Sequence, residues 1–417
     1  MKRALAIGLG FVAILAAFVL ATQDNTAHVN TPAAIVSQLV ATNTPGATRT
    51  GQLTQTSTPG PVQQTPSPTA TPLPLGAHPV YVVDPQNGGL LSQVLAIDAD
   101  ALRVVGQLQT RYEPVAALSP DGTRLFIADT YYTEVTRGAQ IDALSVFDAR
   151  TLQLLVDDVP IPGRSMPQLG SNSDWFFLSQ DGRRLFISQY GTPGTNEIRL
   201  RIVDVSTFQT LGEIGQPSCY NDQFQLLPNG QFSCVIADGI DYIDPLTNIS
   251  RLALGLSPGP IQAGSVLAPT GDRLYLLTPT GNVTVIDVTS EPPRVVASRI
   301  TLDLPAEYQT GYGHGLVISP DESRLYIALY PTAGPNLGSG TAEQIWVFST
   351  HTWRRLGVFV PSDPAFDFAV SGDGRQLYMV NPYKRTLSIF DTDNFQEIGV
   401  MYDVGTTPAH ILVPRTH

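Results

Sequence analysis

Lysine is almost missing from this sequence. Only Lys2 and Lys384 occur, so the positive charge is nearly all arginine, and 24 Lys+Arg face 36 Asp+Glu for a formal net charge of −12. An acidic surface repels phosphate backbones. Nucleic acid and anionic membrane surfaces are therefore not the expected partners, because both are held by clustered cations that release counterions. Two cysteines and six scattered histidines are too few for a zinc ribbon or an iron–sulfur site, and no resident metal is expected. No cysteine precedes Cys219, which excludes a lipid-modified cysteine as a tether. Helical patterning is nearly absent as well, which leaves β-structure to organise 417 residues.

The first 21 residues read as an address. Lys2 and Arg3 precede an apolar run from Ala4 to Ala21 that ends in small residues, the pattern of an export signal. At 18 residues the run is also near the length of a short spanning helix, so an uncleaved N-terminal membrane anchor is the alternative. Either way the remainder is expected outside the cytoplasm: periplasmic, extracellular or at the cell surface. Residues 22–76 form a Thr/Pro-rich linker, almost uncharged from Asn43 to Leu75, with too little apolar surface to offset chain entropy. Its repeated X-Pro steps make it a semi-stiff spacer. The folded domain is expected over 77–417.

What is abundant is one repeated phrase. It appears as ALSPDGTRLFIAD (Ala117–Asp129), FLSQDGRRLFISQ (Phe177–Gln189), LLPNGQFSCVIAD (Leu226–Asp238), VLAPTGDRLYLLT (Val266–Thr278), VISPDESRLYIAL (Val317–Leu329) and AVSGDGRQLYMVN (Ala369–Asn381). Each has a turn centre that tolerates positive φ between runs of alternating apolar β-formers, so each is a hairpin. A third strand ending in Asp or its equivalent follows (LSVFDA, LRIVDV, DYIDP, VTVIDV, IWVFST, LSIFDT), and then a fourth. Four antiparallel strands every 40 to 50 residues or so make a propeller blade. Six complete units are present. Three strands over His78–Leu108 and a lone one in Pro408–Pro414 supply a seventh blade, and joining them removes an open sheet edge. The expectation is an all-β, seven-bladed propeller closed by its C-terminal strand; an eight-bladed ring or a sandwich would need a spare unit, and none is found.

This topology places the SPDG-type turns on one face and the long second-to-third-strand loops on the other. Three of those loops are extended: Thr130–Ala143, Gln189–Ile198 and Leu329–Ile345. Insertions concentrated on one face of a repeat fold mark a binding face. Tyr131, Tyr132, Arg137, Tyr190, Tyr312 and Tyr330 fall in or near it and are candidate partner contacts, since Tyr and Arg anchor protein interfaces; simple loop packing is the alternative. Aligning the first strands gives a ring at the channel mouth of Pro114, Asp174, Asp222, Ala263, His314, Phe366 and Pro408. Asp174, Asp222 and His314 are its candidate functional groups, against the plainer reading of polar residues lining a wet channel. Gly255–Gly259 fits G-x-S-x-G but lacks the strand–turn–helix setting a nucleophile needs. Asn248 and Asn282 open formal glycosylation triplets. Cys219 and Cys234 bracket a turn, and in an oxidising compartment they can pair for about 3 kcal/mol; two buried thiols are the other reading.

The YVVDP strand (Tyr81–Pro85), the TRG-x3-D-x3-VFD stretch within Thr130–Asp148 and the Ser218-Cys219-Tyr220 start of a cysteine pair fifteen residues apart resemble the heavy chain of methylamine and aromatic amine dehydrogenases. The resemblance runs from about Pro79 to Gly405. It implies a YVTN-like propeller with no catalytic residues and no cofactor of its own. In that family such a chain scaffolds a small cysteine-rich light chain bearing tryptophan tryptophylquinone, which oxidises primary amines and passes electrons to a copper protein or cytochrome. Two other functions compete: a stand-alone propeller displayed on its Thr/Pro stalk to bind protein or glycan, and a lactonase-type hydrolase.

Overall fold

The chain divides into two units, Met1–Ser67 and Pro68–His417. The computed structural model describes residues 71–85, 92–130, 141–163, 165, 176–190, 198–215, 224–236, 239–256, 264–310, 315–333 and 340–415, all in the second unit. Among these residues there is no helix; the strands form seven antiparallel sheets, the seven blades of a propeller.

Blade 2 shows the plan. Its strands Tyr112–Leu118, Arg124–Thr130, Ile141–Asp148 and Leu154–Pro162 pair in chain order from the channel outwards. The SPDG turn works by side chain as well as backbone. Ser119 Oγ donates to Asp121 Oδ1 and accepts from Arg124 N at 2.9 Å, while Thr123 N donates to the same carboxylate at 3.1 Å. Ser179, Ser319 and Ser371 repeat the arrangement. At the end of the third strand, Asp148 Oδ1 accepts from Arg150 N and Thr151 N, and Asp204, Asp244, Asp287 and Asp391 do likewise in their blades. These are Asx turns, in which a short carboxylate stands in for a backbone acceptor.

The core is partitioned rather than central. Seven hydrophobic clusters each lie between two successive blades. Period-2 alternation explains how one strand serves two of them: in Pro79–Asp84, Val80 and Val82 enter the cluster shared with blade 7, while Tyr81 and Val83 enter the one shared with blade 2. Hence the inner strands read as unbroken apolar runs. The aromatic recurring on the second strand (Tyr81, Phe126, Phe186, Tyr275, Tyr326, Tyr378) is buried each time, worth about 2–3 kcal/mol apiece by area removed from water.

Two features exceed the four-strand plan. Blade 6 has five strands, because both Tyr308–Thr310 and Leu316–Ile318 pair with the long strand Arg324–Pro331. In blade 1, His410–Leu412 pairs with Pro79–Asp84, aligning Val82 with Ile411. That strand joins the N-terminal and C-terminal ends of the folded unit in one sheet.

Candidate functional site on the loop-bearing face

Second strands end, and third strands begin, on the face opposite the SPDG turns. In four blades a polar residue at or next to the end of the second strand holds the segment leading into its own blade. Asp84 is fully buried and accepts from Thr406 N at 2.7 Å, Thr407 N at 2.8 Å and Gln93 Nε2 at 2.6 Å. Asp129 accepts from Arg111 N at 2.8 Å and from the Arg111 guanidinium at 2.9 Å. Gln189 donates to the Pro162 carbonyl at 3.1 Å, and Asn381 to the Pro364 carbonyl at 2.6 Å. Burial pushes the Asp129 carboxyl up, against the Arg111 contacts that lower it. The rim of the channel mouth is thus pinned blade by blade.

At that mouth two buried groups from neighbouring blades meet. Asp367, on the first strand of blade 7 (Asp367–Val370), accepts from Phe368 N and Ile411 N at 2.8 Å each, and His410 Nδ1 stands 3.3 Å from its Oδ2. Exposure is 1% for Asp367 and 3% for His410. Tyr330 lies near this pair, half-buried against the cluster between blades 6 and 7. Burial, and then the Asp367 charge, raise its hydroxyl pKa. A carboxylate so enclosed ties blade 7 to the closing strand. Among the described residues no group of three His, Cys, Asp or Glu is placed to hold a metal ion.

Of the residues the sequence singles out, Tyr131, Tyr132, Arg137, Asp174, Cys219, Asp222, Tyr312 and His314 lie outside the described residues. Tyr190 ends the second strand of blade 3, aligned with Ile198. Phe366 and Pro408 stand one and two residues before Asp367 and His410, the polar pair that the first-strand alignment misses. The available signal was the shared start Pro364-Ala365-Phe366-Asp367 and Pro408-Ala409-His410. Also missed were Tyr383 and Tyr402, 68% and 71% exposed, and Val360 at 63%. All three follow strands that end on the loop-bearing face, and Lys384 and an Arg385–Asp403 ion pair adjoin the tyrosines. Exposed aromatics beside charge have the chemistry of interface anchors.

Fold and rim together define a seven-bladed propeller with a pinned channel mouth and exposed aromatics on one face. The chain is, more particularly, a relative of methylamine dehydrogenase heavy chains. Residues 76–240, the start of the ring through blade 4, match the family model "Methylamine dehydrogenase heavy chain (MADH)". The methylamine dehydrogenase heavy chain of Methylorubrum extorquens is 22% identical over 81% of this chain and 83% of its own, and that of Methylophilus methylotrophus is 31% identical over 34% of each. The resemblance read from YVVDP and its companions is borne out at this level. Among solved structures, a putative 6-phosphogluconolactonase from Bacteroides uniformis superposes with a TM-score of 0.55 at 14% identity, covering 80% of this chain and 98% of that one. That likeness is one of fold.

Proposed function

We propose that this chain is a heavy-subunit-like scaffold of a quinone-cofactor amine dehydrogenase. It holds a separate, cysteine-rich light chain against its loop-bearing face, outside the cytoplasm. The observation that carries the reading is the family match over residues 76–240, a stretch that includes two of the three extended loops. Tyr383, Tyr402 and Val360, with Tyr131, Tyr132, Arg137, Tyr190, Tyr312 and Tyr330, are the contacts proposed for that partner. Asp174, Asp222 and His314 remain the proposed polar groups of the channel rim beneath it.

Tryptophan tryptophylquinone, which accepts electrons from amines, would reside in the light chain. The described tryptophans of this chain agree with that division, being committed to packing. Trp346 lies under the Arg355 guanidinium, 4.2 Å from its ring centre, and donates to Gln344 Oε1 at 2.7 Å, while Trp353 packs on Tyr275. This chain's own part is to bind and orient the partner and to keep water from the shared surface. Onward electron transfer to a copper protein or cytochrome is part of the same proposal. So is a Cys219–Cys234 bridge, supported by the absence of a free cysteine among the described residues.

The test is co-expression with any small cysteine-rich chain encoded beside its gene, followed by affinity purification and an amine-dependent dye-reduction assay. A stoichiometric pair with amine-dependent reduction is the expected result. Purification of this chain alone, with no such neighbour, overturns the proposal and leaves the displayed-propeller reading, which the Thr/Pro-rich segment favours.

A further inference from the structure

The turn-bearing half of the central channel encloses a cavity of about 590 Å³, to which all seven innermost strands contribute. Its walls are apolar and polar in about equal share, with Phe176, Phe177, Phe368, Val266 and Ile318 among the apolar side chains. Among the described residues no Asp or Glu side chain lines it, and the one permanently charged lining residue is Arg415, just beyond the closing strand. Arg415 is exposed to water, yet desolvation by its surroundings lowers its pKa, and among the described residues no carboxylate or hydrogen-bond partner offsets this. In a chain with twelve more acidic than basic residues, a guanidinium left unpaired in a channel is an unspent binding group. A second observation lies deeper in the same cavity. Ser265, 6% exposed, lines it with a buried Oγ that has no hydrogen-bond partner. Native interiors rarely leave such groups unsatisfied.

We propose that this cavity binds a small organic anion with an apolar body, its carboxylate paired with Arg415 and its body against the phenylalanines. Arg suits the role because its planar fork matches a carboxylate in bidentate fashion. Apolar side chains beside placed polar groups are features of small-molecule sites, and the volume lies in the usual range. The site is on the opposite face from the proposed light-chain surface and does not depend on it.

The experiment titrates the intact chain with benzoate, benzyl alcohol and inorganic phosphate, read by calorimetry and by the shift in thermal midpoint. Saturable benzoate binding is expected, with weaker binding of the neutral alcohol and of phosphate. Arg415→Gln should weaken benzoate by about 10- to 100-fold, the loss of a charge-assisted pair, and leave the alcohol unchanged; Arg415→Lys should restore part of it. Because Arg415 lies beyond the last strand, the unliganded midpoint of the Gln variant should equal that of the wild type. Equal benzoate affinity in wild type and Arg415→Gln overturns the proposal, as does the absence of saturable binding by the wild type. Phosphate binding as tight as benzoate overturns the apolar half of it.

Discussion

At the scale of the residue, His78 is the most instructive side chain. Its Nδ1 lies 2.7 Å from Asp100 Oδ1 in blade 1, and its Nε2 lies 3.0 Å from Asp373 Oδ2 in the turn of blade 7. Burial works against its charge, but the hydrogen bonds and charges of the two carboxylates outweigh it, and the imidazole pKa is raised. Asp100 is lowered; Asp373, despite its burial, is brought down to about 2 by Ser371, His78 and Arg375 N. A histidine raised on folding contributes stability that is complete below its unfolded pKa near 6.5 and is lost as pH rises through the folded pKa. His78→Gln should therefore cost about 1 kcal/mol, a figure reduced for the part-exposed carboxylates, at pH 5.5 and almost nothing at pH 9. Denaturant melts of both proteins at the two pH values check this, and a gap that does not change with pH contradicts the charged clasp. Asp84 offers a second residue-scale test. Asp84→Ala strands the donors of Gln93, Thr406 and Thr407, four in all, at a buried site and should cost about 2–4 kcal/mol by urea unfolding.

At the scale of the element, the SPDG-type turn does more than reverse the chain. A Cβ placed on Gly271, in the turn of blade 5, would come within 2.3 Å of Pro228 Cγ in the turn of blade 4. Gly182 similarly faces Pro120, and Gly374 faces Pro320, at 3.5 Å. The proline of one turn thus abuts the glycine of the next. Where blade 3 has Gln180 in place of the proline, Gly230 in blade 4 has nothing within 4 Å. Gly271→Ala and Gly374→Ala share the cost of a positive φ, +76° in both, about 1 kcal/mol. Only Gly271→Ala adds a collision with a rigid ring. It should be the more destabilising by about 1–2 kcal/mol, measurable as a difference in thermal midpoints, and equal costs would refute the interlock. The second element-scale prediction concerns the exposed aromatics: Tyr383→Ala with Tyr402→Ala should leave stability within about 0.5 kcal/mol and weaken light-chain capture at least tenfold.

At the scale of the whole molecule, the seven-fold repeat was legible because each blade writes its own turn chemistry locally. The Ser-x-Asp-Gly and Asp-x-x-Thr signals need only neighbours a few residues away. The fifth strand of blade 6 was not legible, since Tyr308–Thr310 is short and its pairing depends on how far Arg324–Pro331 extends. The buried Asp367 escaped for a related reason: in a strand, a one-residue difference in alignment exchanges one side of the sheet for the other. Phe366 was read where Asp367 acts. Exposure of Tyr383 and Tyr402 likewise depends on which neighbouring loops leave them uncovered. Removal of residues 406–417 takes away the innermost strand of blade 1 and the Thr406 and Thr407 backbone donors to Asp84. The truncated chain should aggregate or lose its single cooperative transition, as judged by light scattering and calorimetry; a soluble protein with an unchanged melt would show that the last strand is dispensable.

The same strand sets an order of events in time. Asp84 and Thr406 are 322 residues apart in sequence yet share a hydrogen bond, so the first blade made is the last that can be finished. While the chain is being synthesised, blade 1 must wait with a bare strand edge until residues 406–412 have emerged. Non-local pairing of this kind makes folding slow. An edge held open that long is a template for wrong pairing, and completion of the ring is a readout of whether the closing strand has arrived.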